Sequence, residues 1–266
     1  MLPHAGERVP EWCEAWRRTG ALVLLLDFDG TLAPIVDHAD DAAMPPATRA
    51  ALERLRAMPG VAVAIVSGRG LADVRARAAL DGVPYAGNHG MEIEGAGPLR
   101  IHPEARAARP SLEAVAAWLA PRLPAVPGAF LEDKGLTLSV HYRLAEPGAG
   151  PRIRALAEEA TAGRTDVALT EGKKVLEVRP RVDWHKGRAV AFLLAHLRPP
   201  RGAPVLYLGD DRTDEDAFRA LAEGGRGEGV LVAEAPGETA AGAWLRSPDE
   251  VGALLLALAD GGPAHA

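Results

Sequence analysis

Leu22-Val23-Leu24-Leu25-Leu26-Asp27-Phe28-Asp29-Gly30-Thr31 is an unbroken apolar run that stops at two acids and a glycine. Five apolar residues without alternation predict a strand buried on both faces, as in a parallel sheet covered by helices. Two acids two positions apart at the strand's end can face one ligand. Gly30 allows a sharp turn and close backbone approach. A calcium loop of the EF-hand type would need Gly at its sixth place and Glu at its twelfth. Leu32 and His38 stand there instead, which excludes it.

The same grammar recurs outward from this run. Val61 to Val66 ends at Ser67-Gly68-Arg69, with a helical pattern from Leu71 to Leu80. Pro204 to Leu208 ends at Gly209-Asp210, ahead of a helix from Asp214 to Leu221, and Val230 to Val232 is a weaker strand. Pro46 to Met58 reads as a helix with Pro at its start and Gly60 past its end. Strands alternating with helices predict an α/β fold with a doubly wound, parallel, Rossmann-like core sheet.

The middle of the chain departs from that rhythm. Ala129 to Glu132 and Leu136 to Tyr142 flank Asp133-Lys134-Gly135, a hairpin signal. A helix from Pro151 to Ala162 and a second hairpin from Val167 to Val178 follow. These predict an inserted α+β cap domain at 104–182, dividing the core into 1–103 and 183–266.

In a doubly wound sheet the ligand lies beyond the carboxyl ends of the strands. A carboxylate there can attack phosphorus when a metal offsets the repulsion, and a second can shuttle the proton. Ser67 suits a phosphate oxygen, or caps the helix behind it. Dinucleotide binding is a poor alternative, since Gly68 and Gly70 match but Asp73 stands where a third glycine belongs. Gly209 to Asp216 is an oxygen-rich cluster suited to Mg²⁺. Asp210 is its inner ligand, and Asp214 is a second or water-mediated contact. Thr213 and Asp216 also match a helix-capping box. Lys186 opens a helix and would be a positive partner for the nucleophile and the phosphate.

In this order, Asp-x-Asp-Gly-Thr, Ser67, Lys186 and Gly-Asp-Asp resemble the haloacid dehalogenase superfamily. The set Gly87-Asn88-His89-Gly90, Glu132-Asp133-Lys134-Gly135, His141-Tyr142-Arg143, Gly172-Lys173-Lys174-Val175-Leu176-Glu177 and Gly209 to Asp216 is similar to the trehalose-6-phosphate phosphatases. That resemblance implies Asp27 as nucleophile and Asp29 as acid/base. It implies Ser67 and Lys186 on the phosphate, and Mg²⁺ held by Asp27, Asp210 and the Asp29 carbonyl. Glu132, Lys134 and Glu177 would grip sugar hydroxyls, with Arg143 close by. Arg69, Asn88 and His89 complete the expected substrate contacts, although His89 reads equally as a structural histidine. Rival readings are a related capped phosphatase for sucrose phosphate or mannosylphosphoglycerate, and a non-catalytic sugar-phosphate sensor.

Composition narrows the remaining classes. A net charge of −6 argues against a nucleic-acid backbone as main ligand. No apolar run approaches membrane-spanning length and no leader is evident. Cys13 is the single cysteine, so an internal disulfide is impossible and a reducing cytoplasm fits. The expected partner is a small sugar phosphate, and the expected state is a monomer. Of 30 basic residues only four are lysines, namely Lys134, Lys173, Lys174 and Lys186. Cys13, Trp12, Trp16, Trp118 and Trp244 read as packing residues, while Trp184 could line the site.

Overall fold

The computed structural model describes residues 2–172 and 174–263, so Lys173, part of one motif above, lies outside the described residues. The chain forms two compact units, one of residues up to 99 and from 184 onward, the other of residues 100–183.

In the first unit, helix α1 (Ala5–Thr19) precedes strand β1 (Leu22–Leu26). Next come α2 (Pro46–Arg56), β2 (Val61–Val66), α3 (Leu71–Ala78), β3 (Tyr85–Gly87) and β4 (Glu92–Glu94). The second unit contributes β5 (Arg100–Ile101), α4 (Pro103–Ala107), α5 (Arg109–Leu119), β6 (Phe130–Asp133), β7 (Leu138–His141), α6 (Ala149–Thr161), β8 (Val167–Gly172) and β9 (Val175–Pro180). The first unit resumes with α7 (Lys186–Leu197), β10 (Val205–Gly209), α8 (Glu215–Glu223), β11 (Glu228–Val232), β12 (Ala243–Leu245) and α9 (Pro248–Gly261).

Its strands run in the order β12-β11-β10-β1-β2-β3-β4. All neighbouring pairs from β12 to β3 are parallel, and β3 pairs antiparallel with β4. β1 lies centrally, Val23 opposite Val205 on one side and Ala62 on the other. Every β1 residue is buried, because alternate side chains enter different cores. Leu22, Leu24 and Leu26 pack with Trp16, Leu52 and Leu255, against α1, α2 and α9. Val23 and Leu25 pack with Val190, Leu193 and Phe218, against α7 and α8. This double covering is what an unalternating apolar run specifies.

The second unit has its own antiparallel sheet, ordered β6-β7-β9-β8. Leu138, Val140, Leu176 and Val178 cover one face with Leu112, Val115 and Ile153 from α5 and α6. Glu132, Ser139 and Glu177 pair across β6, β7 and β9 in one row, on the other face by the strand's period of two.

Two local expectations fail. Helix α8 begins with Asp214, not Thr213, at its N-cap, and no side-chain cap forms. Thr213 Oγ1 donates instead to Asp211 Oδ1 at 2.7 Å. Ser67 does not cap α3, whose N-cap is Gly70. Among the described residues, no helix is long and apolar enough to cross a membrane.

Trp16 is fully buried, and its indole Nε1 has no hydrogen-bond partner among the described residues. Trp16→Ala should lower unfolding free energy by about 3–5 kcal/mol, chiefly through the cavity left behind. Trp16→Phe should cost markedly less, since it removes a buried donor that is already unsatisfied. Urea unfolding of the two variants checks the difference.

Candidate active site

Four adjacent parallel strands bring the site's residues to one edge. β10, β1, β2 and β3 end at Gly209, Leu26, Val66 and Gly87, so Asp210, Asp27, Ser67 and Asn88 follow side by side. The chain leaves β1 in one direction to reach β2 and returns on its other side as β10, which opens a crevice at the strand ends. The Asp27 amide extends the ladder by donating to Leu208 O at 2.9 Å.

Asp27 is 4% exposed and Lys186 2%. Lys186 Nζ lies 2.9 Å from Asp27 Oδ2 and 2.7 Å from Asp214 Oδ1. Asp214 accepts four hydrogen bonds: Lys186 and the Tyr207 hydroxyl on Oδ1, and the Asp210 and Asp211 amides on Oδ2. It is therefore the knot tying the lysine to the loop that carries Asp210. Burial pushes the Asp27 carboxyl well up, Lys186 opposes this, and the charges of Asp214, Asp210 and Asp211 add to it. Burial also works against the Lys186 ammonium, but Asp214 and Asp27 outweigh it and hold the lysine charged. Asp211 stays ionised against its burial through Lys186 and its bonds from Thr213.

This crowding has the chemistry of a cation site. One oxygen each from Asp27, Asp210 and Asp214 lie within 4.8 Å of one another. Against these acids stands the single ammonium of Lys186, so a hard divalent ion offsets the excess charge with oxygen ligands alone. Gly30, at φ +76°, completes the cradle: a Cβ there would sit 2.3 Å from the Asp210 carboxyl carbon. Asp214, with four donors already bound, has the least oxygen capacity to spare.

Asp29 is held differently. Arg69 grips it as a fork, Nε to Oδ2 at 2.6 Å and Nη2 to Oδ1 at 2.7 Å. Arg69 also donates to Asp73 at 2.7 Å and to Ala39 O at 2.9 Å. Asn88 and His89 bind the Ser67 loop by backbone, with amides donating to Arg69 O and Ser67 O at 2.7 and 2.9 Å. Both take left-handed φ, 47° and 56°. For residues other than glycine this costs of order 1–3 kcal/mol each and persists only where packing enforces it. Here His89 stacks so closely on Gly68 that a Cβ there would meet its ring at 2.7 Å. The Asn88 amide group donates to Glu92 at 2.6 Å.

The other candidates form a separate group in the second unit. Lys134 Nζ is 3.1 Å from Glu177 and 4.0 Å from Glu132. His141 Nε2 is 2.7 Å from Glu132, and Ser139 donates to Glu177 at 3.2 Å. Phe130, 39% exposed, stacks on His141 at 4.7 Å. Arg143 follows β7 and is exposed. Glu132 and Lys134 thus belong to a half-buried network with Glu177 rather than an isolated hairpin pair.

Sequence reading missed Tyr207, Glu92, Asp73 and Phe130. Tyr207 sits in an apolar strand, where a tyrosine reads as filling. The period of two sends it to the α7–α8 side, where Lys186 enters, and that signal was available.

The fold is that of the haloacid dehalogenase-like hydrolases. One such protein from Bacteroides thetaiotaomicron superimposes with TM-score 0.61 at 17% identity, over 89% of this chain and 98% of that one. The trehalose-phosphatase family model matches residues 25–245, and the chain belongs to that family. A C. albicans trehalose-6-phosphate phosphatase C-terminal domain superimposes with TM-score 0.82 at 27% identity, covering 98% of each chain. A probable trehalose-phosphate phosphatase of Oryza sativa subsp. japonica is 39% identical over 90% of this chain. The chain spans 66% of that relative's length.

Replacing Asp214 by Ala leaves the buried lysine with Asp27 as its one carboxylate partner and strands a tyrosine hydroxyl and two loop amides without an acceptor. Asp214→Ala should therefore lose about 3–5 kcal/mol of stability, the range for breaking a buried charge pair. Tyr207→Phe, which leaves Asp214 with three donors, should lose about 1 kcal/mol. Equal denaturant midpoints for the two variants would contradict the role given to Asp214.

Proposed function

We propose that this chain is a Mg²⁺-dependent phosphatase that hydrolyses trehalose 6-phosphate through a phosphoryl group carried on Asp27. One arrangement carries the reading: a buried carboxylate at a central strand end, paired with a buried lysine and beside Asp210. A structural salt bridge needs neither the second acid at Asp29 nor the Gly30 cradle.

Lys186 and the Ser67 hydroxyl take phosphoryl oxygens and align phosphorus with an Asp27 oxygen. Asp27 attacks, the bond from phosphorus to the sugar oxygen breaks, and Asp29 gives that oxygen a proton. Asp29 must first leave the Arg69 fork, so Arg69 holds the acid in register until substrate competes for it. Water then attacks the same phosphorus, Asp29 takes its proton, and the bond to Asp27 breaks, releasing phosphate. Asp27 and Asp210 would hold Mg²⁺, with the Asp29 carbonyl, and Asp214 would support them through the loop. When bound, the ion neutralises charge on the phosphoryl oxygens and the nucleophile.

Sugar recognition is assigned to Glu132, Lys134 and Glu177, with Arg143, Asn88 and His89 as further contacts. The grouping of two carboxylates and an ammonium on one sheet face supports this, since such groups form charge-assisted bonds with hydroxyls. The same reading takes residues 104–182 as the cap. It takes the chain as a cytoplasmic monomer whose partner is a small molecule, neither nucleic acid nor membrane.

The test is phosphate release from trehalose 6-phosphate, sucrose phosphate and mannosylphosphoglycerate, with Mg²⁺, with Ca²⁺ and after chelation. Turnover should favour trehalose 6-phosphate, need Mg²⁺ and fall sharply with Ca²⁺, whose looser coordination spoils in-line alignment. Full activity after exhaustive chelation would remove the metal from the mechanism.

Asp27→Asn should abolish turnover and keep the native circular dichroism, since the amide has the carboxylate's shape but does not attack phosphorus. Substantial turnover by this variant would place the nucleophile elsewhere.

Glu132→Ala, Lys134→Ala and Glu177→Ala should each lower kcat/KM for trehalose 6-phosphate about 10- to 100-fold, given charge-assisted bonds worth roughly 1.5–3 kcal/mol. Activity on a small aryl phosphate, which offers no sugar hydroxyls, should stay near its starting value. Parallel loss on both substrates would mean these residues act in folding instead.

A further inference from the structure

A cavity of about 690 Å³ opens where β10 and β11 begin, at the opposite end of the sheet from Asp27 and Asp210. Five residues of strand separate its edge at Val205 from Asp210, roughly 16 Å at 3.3 Å per residue. Its walls are one face of α1, the turn before β10 and the glycine-rich turn before β11.

Four arginines, Arg8, Arg18, Arg201 and Arg226, line it against two acids, Glu11 and Glu228. That is a surplus of two positive charges on a chain whose net charge is −6. Arg8 uses both acids, at 2.9 Å from Glu11 and 3.0 Å from Glu228. Arg18, Arg201 and Arg226 are exposed and make no side-chain ion pair among the described residues. Elsewhere in the same unit, Arg54, Arg69, Arg77 and Arg219 each face a carboxylate within 2.8 Å. Three of the four guanidinium groups on this concavity thus lack a carboxylate partner among the described residues. Trp12 supplies an apolar wall, only 4% exposed, with its indole fixed by a 3.1 Å bond to Glu228.

We propose that this cavity binds a small phosphorylated metabolite carrying two or more negative charges, at a site separate from the phosphatase centre. The guanidinium fork matches phosphate oxygens in pairs, and the volume falls in the range of small-molecule pockets. Three unpaired arginines offer charge to a diphosphate or to two phosphates on one metabolite, and the Trp12 wall meets its organic part. The ligand seats between α1 and the starts of β10 and β11, so it braces the N-terminal helix against the sheet.

The test is calorimetric titration of the whole chain with inorganic pyrophosphate in the presence of chelator, with citrate as the non-phosphate polyanion. The expected result is saturable binding, weakened at least about tenfold in Arg18→Ala/Arg201→Ala/Arg226→Ala. Phosphate release without added pyrophosphate should be unchanged in that variant, which also establishes that it folds. Arg18→Ala and Arg226→Ala alone should each show part of the loss. Equal pyrophosphate affinity in the parent and the triple variant overturns the proposal, because the probe is then held elsewhere, as at Lys186. Absence of saturation, or preference for citrate over pyrophosphate, overturns it as well.

Discussion

The buried ammonium of Lys186 is the constraint around which the core unit is arranged. Taking an ammonium out of water costs several kcal/mol unless carboxylates meet it at close range with their other lone pairs satisfied. Here two do, and they come from far-separated parts of the chain: Asp27 from the first strand and Asp214 from the last third. Asp214 in turn fixes the amides of Asp210 and Asp211. One charge thus sets the positions of the strand end, the acidic loop and the start of α7. The pair Asp27–Lys186 leaves a concentration of carboxylates that one lysine does not balance, and the site's appetite for a cation follows from that deficit.

Much of this was legible in residue order. The doubly wound core was readable because β1, β2 and β10 are apolar runs of strand length that stop abruptly at polar residues. Each of these runs ends in chemistry that belongs at one edge of such a sheet, while the strand order and register came from the structure. β3, β4 and β12 went unread because three-residue strands give no periodicity to detect. The capping box at Thr213 was misread for a related reason. Spacing alone does not tell a cap from a loop in which Asp211 folds back on Thr213. The Arg69–Asp29 fork was invisible because it joins positions forty residues apart that only the β1–β2 pairing brings together.

The two units divide the labour of holding charge in contrasting ways. In the first, Asp27, Lys186 and Asp214 are almost fully buried and bound to several partners each, which is how geometry is kept rigid. In the second, Glu132, Lys134 and Glu177 retain partial exposure. Their bonds to one another are ones that a hydroxyl-rich ligand can replace. Rigidity around Asp27 and exchangeable contacts around Glu132 are what the proposed hydrolysis of a polyhydroxylated ester would require.

The pairing of β1 with β10 also bears on how the molecule is made. Val23 and Val205 are direct neighbours in the sheet, although 182 positions separate them in the chain. A ribosome delivers β1 long before β10 exists, so one flank of the central strand stays open while the intervening residues are made. Contacts of such long sequence separation are slow to form and leave sticky strand edges exposed meanwhile. Lys186 emerges before Asp214, so the ammonium cannot be buried at little cost until the loop that carries Asp214 has appeared. The nascent chain therefore cannot close the cluster of Asp27, Lys186 and Asp214, and stays open to holding by chaperones, until Asp214 has been translated.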